Sequence, residues 1–198
     1  MSVPATALRA PLTAEFFARS PRAVARDLIG CELECDGVGG TIVETEAYEQ
    51  DEPACHAFVG RTERTDVLFG PPGRAYVYLC YGIHHMFNIV AERDGVAAAV
   101  LVRALVPERG LELMRRRRGG YRARRELCSG PGKLCEALAI ELGLTYAPVW
   151  EPPLRVMGRA PGTPEPAIVT GPRIGINKAA ELPWRYCLAG SPFLSHPA

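Results

Sequence analysis

Residues Ile42 to His56 read I-V-E-T-E-A-Y-E-Q-D-E-P-A-C-H, and the parity of their side chains governs how the rest of the chain is arranged. The β-branched residues from Thr41 predict a strand over Thr41 to Tyr48. Alternation then puts Glu44, Glu46 and Tyr48 on one face, with Val43, Thr45 and Ala47 on the other. A strand made only for packing would carry apolar residues at the first parity. The polar wall is therefore either a solvated sheet face crossed by a tyrosine or a site.

Neighbouring segments hold this strand. Cys31 to Cys35 alternates apolar and acidic residues, and Asp36-Gly37 is a turn dipeptide, so a hairpin into the acidic strand is expected. Before it, Ser20-Pro21 has the form of a helix start and Gly30 suits the position just past a helix end. Ala75 to Tyr81 is rich in strand formers, Tyr81-Gly82 marks a bend, and Ile83 to Val90 resumes the strand pattern, which predicts a second hairpin with Tyr81 near its tip. An aromatic ring there either packs back on its own sheet or wedges into a partner. Asn88 lies inside a strand, where asparagine is disfavoured, and is expected to make a specific hydrogen bond. His56 on its own is compatible with a structural or a functional role. Val96 to Leu105 reads as a buried central strand interrupted by Arg103. Burying a guanidinium costs several kcal/mol unless a carboxylate meets it, which implicates Glu44 or Glu46 as the partner.

The second half is more polar. Pro107 to Arg118 predicts a helix ending in Arg115, Arg116, Arg117 and Arg118, and Ser129-Gly130-Pro131-Gly132-Lys133 opens another helix to about Leu142. Arginines from Arg115 to Arg125 carry +7, leaving the rest of the chain at −6 against a whole-chain net charge of +1. Such a patch is the usual footprint of phosphate binding, although a solvated helix end has the same composition. The turn before Lys133 is not a Walker A loop, because Leu127 and Leu134 stand where that motif needs glycine and a hydroxyl residue. Pro148 to Pro166 holds six prolines and is expected to cross the surface without a regular element. Short strand pieces are expected around Arg173 to Ile176 and Arg185 to Leu188.

These elements give an α+β chain of 198 residues: a single domain over 1–198, with a curved, mostly antiparallel sheet and helices packed around it. The sequence carries no evident secretory signal, and Val96 to Val102, its longest apolar run, is too short to span a bilayer. Its seven cysteines lack paired C-x-x-C spacing, so free thiols in a reducing cytoplasm are expected, with no structural metal and no cofactor.

Taken together, the stretches resemble the 3-methyladenine (alkyladenine) DNA glycosylase family. The likeness rests on Glu44-Thr45-Glu46-Ala47-Tyr48 with His56, on Tyr76-Val77-Tyr78 with Tyr81-Gly82 and Asn88, and on Val102-Arg103-Ala104-Leu105. Ser129 to Cys135, Pro172-Arg173-Ile174-Gly175 and Gly190-Ser191-Pro192 continue it in order along nearly the whole chain. The resemblance implies a monofunctional enzyme, without lyase activity, that flips a damaged purine nucleotide out of double-stranded DNA and hydrolyses its N-glycosidic bond. It implies Glu46 as the general base that activates water and Arg103 as the group that orients it. Tyr48, His56 and Tyr78 would enclose the flipped base, Asn88 would disfavour guanine, and Tyr81 would fill the gap in the stack. Arg115 to Arg118 and Lys133 are the candidates for phosphate contact. A cytoplasmic monomer, at the nucleoid if the source is bacterial, is expected. Gln50 and the His84-His85 pair depart from the family pattern and bear on the loop to His56, the wedge and the substrate range. Two rival readings remain: a magnesium nuclease using Glu44, Glu46 and Asp51, and a module that binds lesions without chemistry.

Overall fold

The computed structural model describes residues 9–198. Helices α1 (Ala14–Phe17) and α2 (Pro21–Asp27) lead into the hairpin of β1 (Glu32–Cys35) and β2 (Val38–Glu49). A loop follows, then the hairpin of β3 (Ala75–Cys80) and β4 (His84–Val90) and the long strand β5 (Ala98–Arg109). Helices α3 (Leu111–Arg117) and α4 (Pro131–Leu138) come next, then β6 (Trp150–Glu151), β7 (Leu154–Met157), β8 (Ile168–Gly171) and β9 (Arg185–Leu188).

All strand pairs are antiparallel, in the order β3-β4-β5-β2-β1-β7-β6, with β9 joining β2 and β8. The expected α+β class with an antiparallel sheet is what the chain adopts. Strand β2 is the axis of this sheet, flanked by β5 along its length, by β1 at its start and by β9 beside Glu44 to Glu46. The first hairpin turns at Asp36 (φ 48°) and Gly37 (φ 78°), the left-handed pair that a tight hairpin turn requires. No described helix is long and apolar enough to cross a membrane.

One face of β2 packs on α2, where Thr45 Oγ1 donates to the Ala25 carbonyl at 2.7 Å. The main core gathers Phe17, Leu28, Leu33, Phe87, Leu105 and Leu134 around the sheet. A smaller cluster with Val67, Leu68 and Tyr76 underlies Tyr48 and Tyr78. The polar wall of β2 is not a solvated face: Glu44 and Glu46 are both 0 % exposed.

Four boundaries differ from the sequence expectation. The chain stays extended through Pro107 to Arg109, and the helix begins only after Gly110. Gly40 explains this, since a Cβ there would lie 1.8 Å from the Val106 carbonyl oxygen. Only glycine lets the two strands approach so closely. Helix α4 ends at Leu138, because Ala139 turns left-handed (φ 57°) and Ile140 N–H bonds back to the Cys135 carbonyl. The proline-rich crossing contains the β6–β7 hairpin, whose Leu154 and Val156 alternate into the core against β1. Strand β8 lies at Ile168–Gly171, while Arg173 to Ile176 form a loop drawn onto β2 by Arg173.

Candidate active site

Arg103 owes its position to a break in strand pairing. Thr45 lies opposite Val102 and Glu44 opposite Ala104, so the ladder skips Arg103. A bulge of this kind re-aims a side chain. Arg103 is thereby turned between the two glutamates, with Nε 3.0 Å from Glu44 Oε1 and one terminal nitrogen, Nη1, 3.1 Å from Glu46 Oε1. The demand of a buried guanidinium for carboxylates is met by both candidates named from sequence.

The two glutamates are held differently. Glu44 is enclosed, accepting from Arg185 Nε at 2.7 Å, Ser195 Oγ at 2.7 Å and Ser195 N–H at 2.6 Å. Burial pushes its carboxyl up, but Arg103, Ser195 and Arg185 outweigh that and hold it below its ordinary value. Glu46 Oε1 accepts Ile174 N–H at 2.7 Å, and Oε2 accepts the Tyr48 hydroxyl at 2.8 Å. Burial, and after it the neighbouring Glu46, pushes the Tyr48 hydroxyl well above its usual range, so it remains a protonated donor. A carboxylate oxygen has two lone pairs, and Tyr48 takes one on Oε2. The other has no partner among the described residues and is open to a further hydrogen bond.

Beside this pair opens a cavity of about 320 Å³, walled by Tyr48, His56, Tyr76, Tyr78 and Asn88, with Arg64 among its lining. Glu46 lies behind Tyr48 and does not line it. The His56 ring meets Tyr78 edge-on, with centroids 4.6 Å apart and planes at 77°, and its Nδ1 lies 2.9 Å from the Tyr76 hydroxyl. Burial first, and then the nearby Arg64 charge, lowers the His56 pKa to about 4, so the ring is neutral at physiological pH. Asn88 Nδ2 donates to the Tyr76 carbonyl at 3.3 Å and the Met86 carbonyl at 3.4 Å, which is the specific bonding expected of a strand asparagine. Beneath Tyr48, the Arg173 guanidinium lies 4.6 Å from the ring centroid. It is locked by Glu52 at 2.7 and 2.8 Å and by the Ala47 carbonyl at 3.0 Å.

Tyr81 stands at the β3–β4 tip, 90 % exposed, so it does not pack back on its sheet. Its backbone is left-handed (φ 50°), a conformation uncommon for a bulky residue and often associated with function. The basic residues divide. Arg115 pairs with Glu112, Arg118 pairs with Glu136, and Arg117 donates to the Ala137 carbonyl, whereas Arg116 and Lys133 are exposed with no ion pair among the described residues. Gln50 accepts Ala97 N–H at 3.3 Å and so ties the loop leading to His56 to the start of the central strand, and His84 packs close to Gly132 of α4.

Arg64, Glu52, Arg173, Arg185 and Ser195 are functional or supporting residues that the sequence expectations leave without a role. The signal for Arg173 and Arg185 was the one used for Arg103, an arginine within an apolar-flanked segment. Ser195 carries no such mark. Among the described residues no group of three or more His, Cys, Asp or Glu side chains is placed to hold a metal ion. The cysteines are free and mostly buried, and burial pushes the Cys55 thiol to about 11.

Comparison with known families places this α+β protein in the class of DNA repair glycosylases. The chain belongs to the methylpurine-DNA glycosylase family, whose model matches residues 15–192. A relative from Nitrobacter winogradskyi, whose name is that of a 3-methyladenine DNA glycosylase, is 57 % identical over 187 residues, covering 94 % of this chain and 88 % of its own. A relative from Rhodopseudomonas palustris strain BisB18 with the same name is 54 % identical over 198 residues, covering 100 % of this chain and 97 % of its own. One from Rhizobium meliloti, again of that name, is 50 % identical over 181 residues, covering 91 % of this chain and 94 % of its own.

Proposed function

We propose that this protein acts as a single-domain, cytoplasmic monomer that removes alkylated or deaminated purines from double-stranded DNA, leaving an abasic site. The damaged nucleotide leaves the duplex and its base enters the cavity bounded by Tyr48, His56 and Tyr78. Tyr81 takes the vacated place in the stack. Extrusion costs a few kcal/mol, least for a damaged pair, and stacking on aromatic side chains returns about 1–3 kcal/mol per base. Arg116 and Lys133, with the rest of the basic patch, hold the phosphates. Asn88 disfavours guanine at the groove edge of the base.

In the chemical step a water molecule held by Glu46 Oε2 attacks the sugar C1′. The new C–O bond forms as the C1′–N bond breaks, the bonding pair goes to the purine, and Glu46 takes the water proton. An alkylated purine leaves as a neutral base, so one positioned carboxylate, contributing on the order of 10²–10⁴ in rate, is sufficient help, whereas a deaminated purine leaves as an anion that takes its proton from water. Arg103 holds Glu46 in place through its 3.1 Å contact. The observation that carries the reading is the joint placement of Glu46, 3.1 Å from Arg103 and 2.8 Å from the Tyr48 hydroxyl, directly behind an open aromatic cavity.

Duplexes that each hold one defined lesion test it. Incubation in excess chelator should release free base and leave an intact strand that breaks only on later treatment with alkali. Chelator-sensitive strand cleavage would favour the nuclease, and lesion binding without base release would favour a recognition module.

A further inference from the structure

The tyrosine faces of the cavity already carry the protein's own cations. Arg173 lies 4.6 Å from the Tyr48 centroid, but Glu52 neutralises it. Arg64 is different. Its guanidinium lies 5.1 Å from the Tyr78 centroid, 3.4 Å from both His56 ring nitrogens and 3.3 Å from the Tyr76 hydroxyl. No carboxylate among the described residues lies within ion-pair distance of it. With His56 neutral, Arg64 is the one formally charged side chain lining the cavity among the described residues.

We infer that Arg64 is a specificity-determining residue: an uncompensated cation seated against Tyr78 and His56 that tilts the cavity toward neutral damaged purines and against cationic ones. This rests on the cavity being the base pocket proposed above. A base stacking there must share or displace the guanidinium. A neutral purine can lie beside it, since guanidinium planes stack well on aromatic rings. A purine alkylated on a ring nitrogen brings a second positive charge to the same tyrosine face, where cation and π cloud are already paired. The tyrosines alone would favour such a cation, and Arg64 opposes them.

The test compares two duplexes, one with 7-methylguanine as the cationic lesion and one with hypoxanthine as the neutral lesion. The ratio of kcat/KM values is measured for the unsubstituted enzyme, Arg64→Gln and Arg64→Lys. Arg64 is exposed, so both variants should fold, and a melt confirms it. Two like charges about 4 Å apart in water repel by about fivefold in an equilibrium constant. Arg64→Gln should therefore move the ratio at least about fivefold toward the cationic lesion, and Arg64→Lys should keep it near the original. An unchanged ratio in Arg64→Gln, or an equal shift in both variants, overturns the inference. If the unsubstituted enzyme releases neither base, the pocket reading itself fails and takes this proposal with it.

Discussion

Replacing Arg103 with methionine removes the cation shared by the two buried glutamates. Glu44 keeps Arg185 at 2.7 Å and both bonds from Ser195, so it remains compensated. Glu46 keeps only the Ile174 N–H and the Tyr48 hydroxyl, with no other cation in ion-pair contact among the described residues. The destabilisation therefore belongs mainly to Glu46. Breaking one side of a buried ion pair costs about 3–5 kcal/mol. For a chain of this length that lowers Tm by about 6–20 °C, at about 2–4 °C per kcal/mol. Melts followed by circular dichroism at pH 7 measure this. Adding Glu46→Gln to Arg103→Met should restore part of the loss, because a neutral amide no longer needs the guanidinium. A Tm change under about 2 °C for Arg103→Met, or a double variant whose losses simply add, would refute the coupling.

Three further outcomes follow from the geometry. Glu44, held below its ordinary 4.5, contributes stability that is present above that pH and lost as pH falls through its folded value, so the stability gap between the unsubstituted protein and Glu44→Gln should narrow below pH 4.5 in chemical denaturation. Tyr81→Ala should leave stability within about 0.5 kcal/mol, since the ring touches little, while lowering base release from duplex DNA in a single-turnover assay. Alanine at both Arg116 and Lys133 should reduce the salt slope of duplex binding by about 2, at about 0.9 per phosphate contact. Alanine at the internally paired Arg118 should change that slope less.

The sequence was informative where physical demand is strong. Arg103 within V-A-A-A-V-L-V-R-A-L required a buried acid, and Glu44 and Glu46 both supply it. Asp36-Gly37 and Tyr81-Gly82 marked the two hairpins because left-handed backbone restricts the residues that can stand there. The helix expected from Pro107 failed where a tertiary effect won: Gly40 admits β5 closely enough to hold Pro107 to Arg109 in the sheet. Ser195 lies 151 residues from Glu44, and a lone serine near a chain end has no local pattern to reveal such a bond. Arg64 lies in a charged loop, and only the fold shows that its guanidinium lies over the Tyr78 ring. The arginine patch was legible as charge but not as accessible charge, because the pairing of Arg115 and Arg118 depends on where Glu112 and Glu136 fall.

The central claim is that Glu46 activates the attacking water. Its most direct test is the single-turnover rate of base release from a duplex holding one hypoxanthine, compared between the unsubstituted enzyme and Glu46→Gln, with the Kd for the same duplex measured in parallel. The expected result is a fall in rate of about 10²–10⁴ with Kd changed little. A Glu46→Gln enzyme that releases base at the original rate would contradict it.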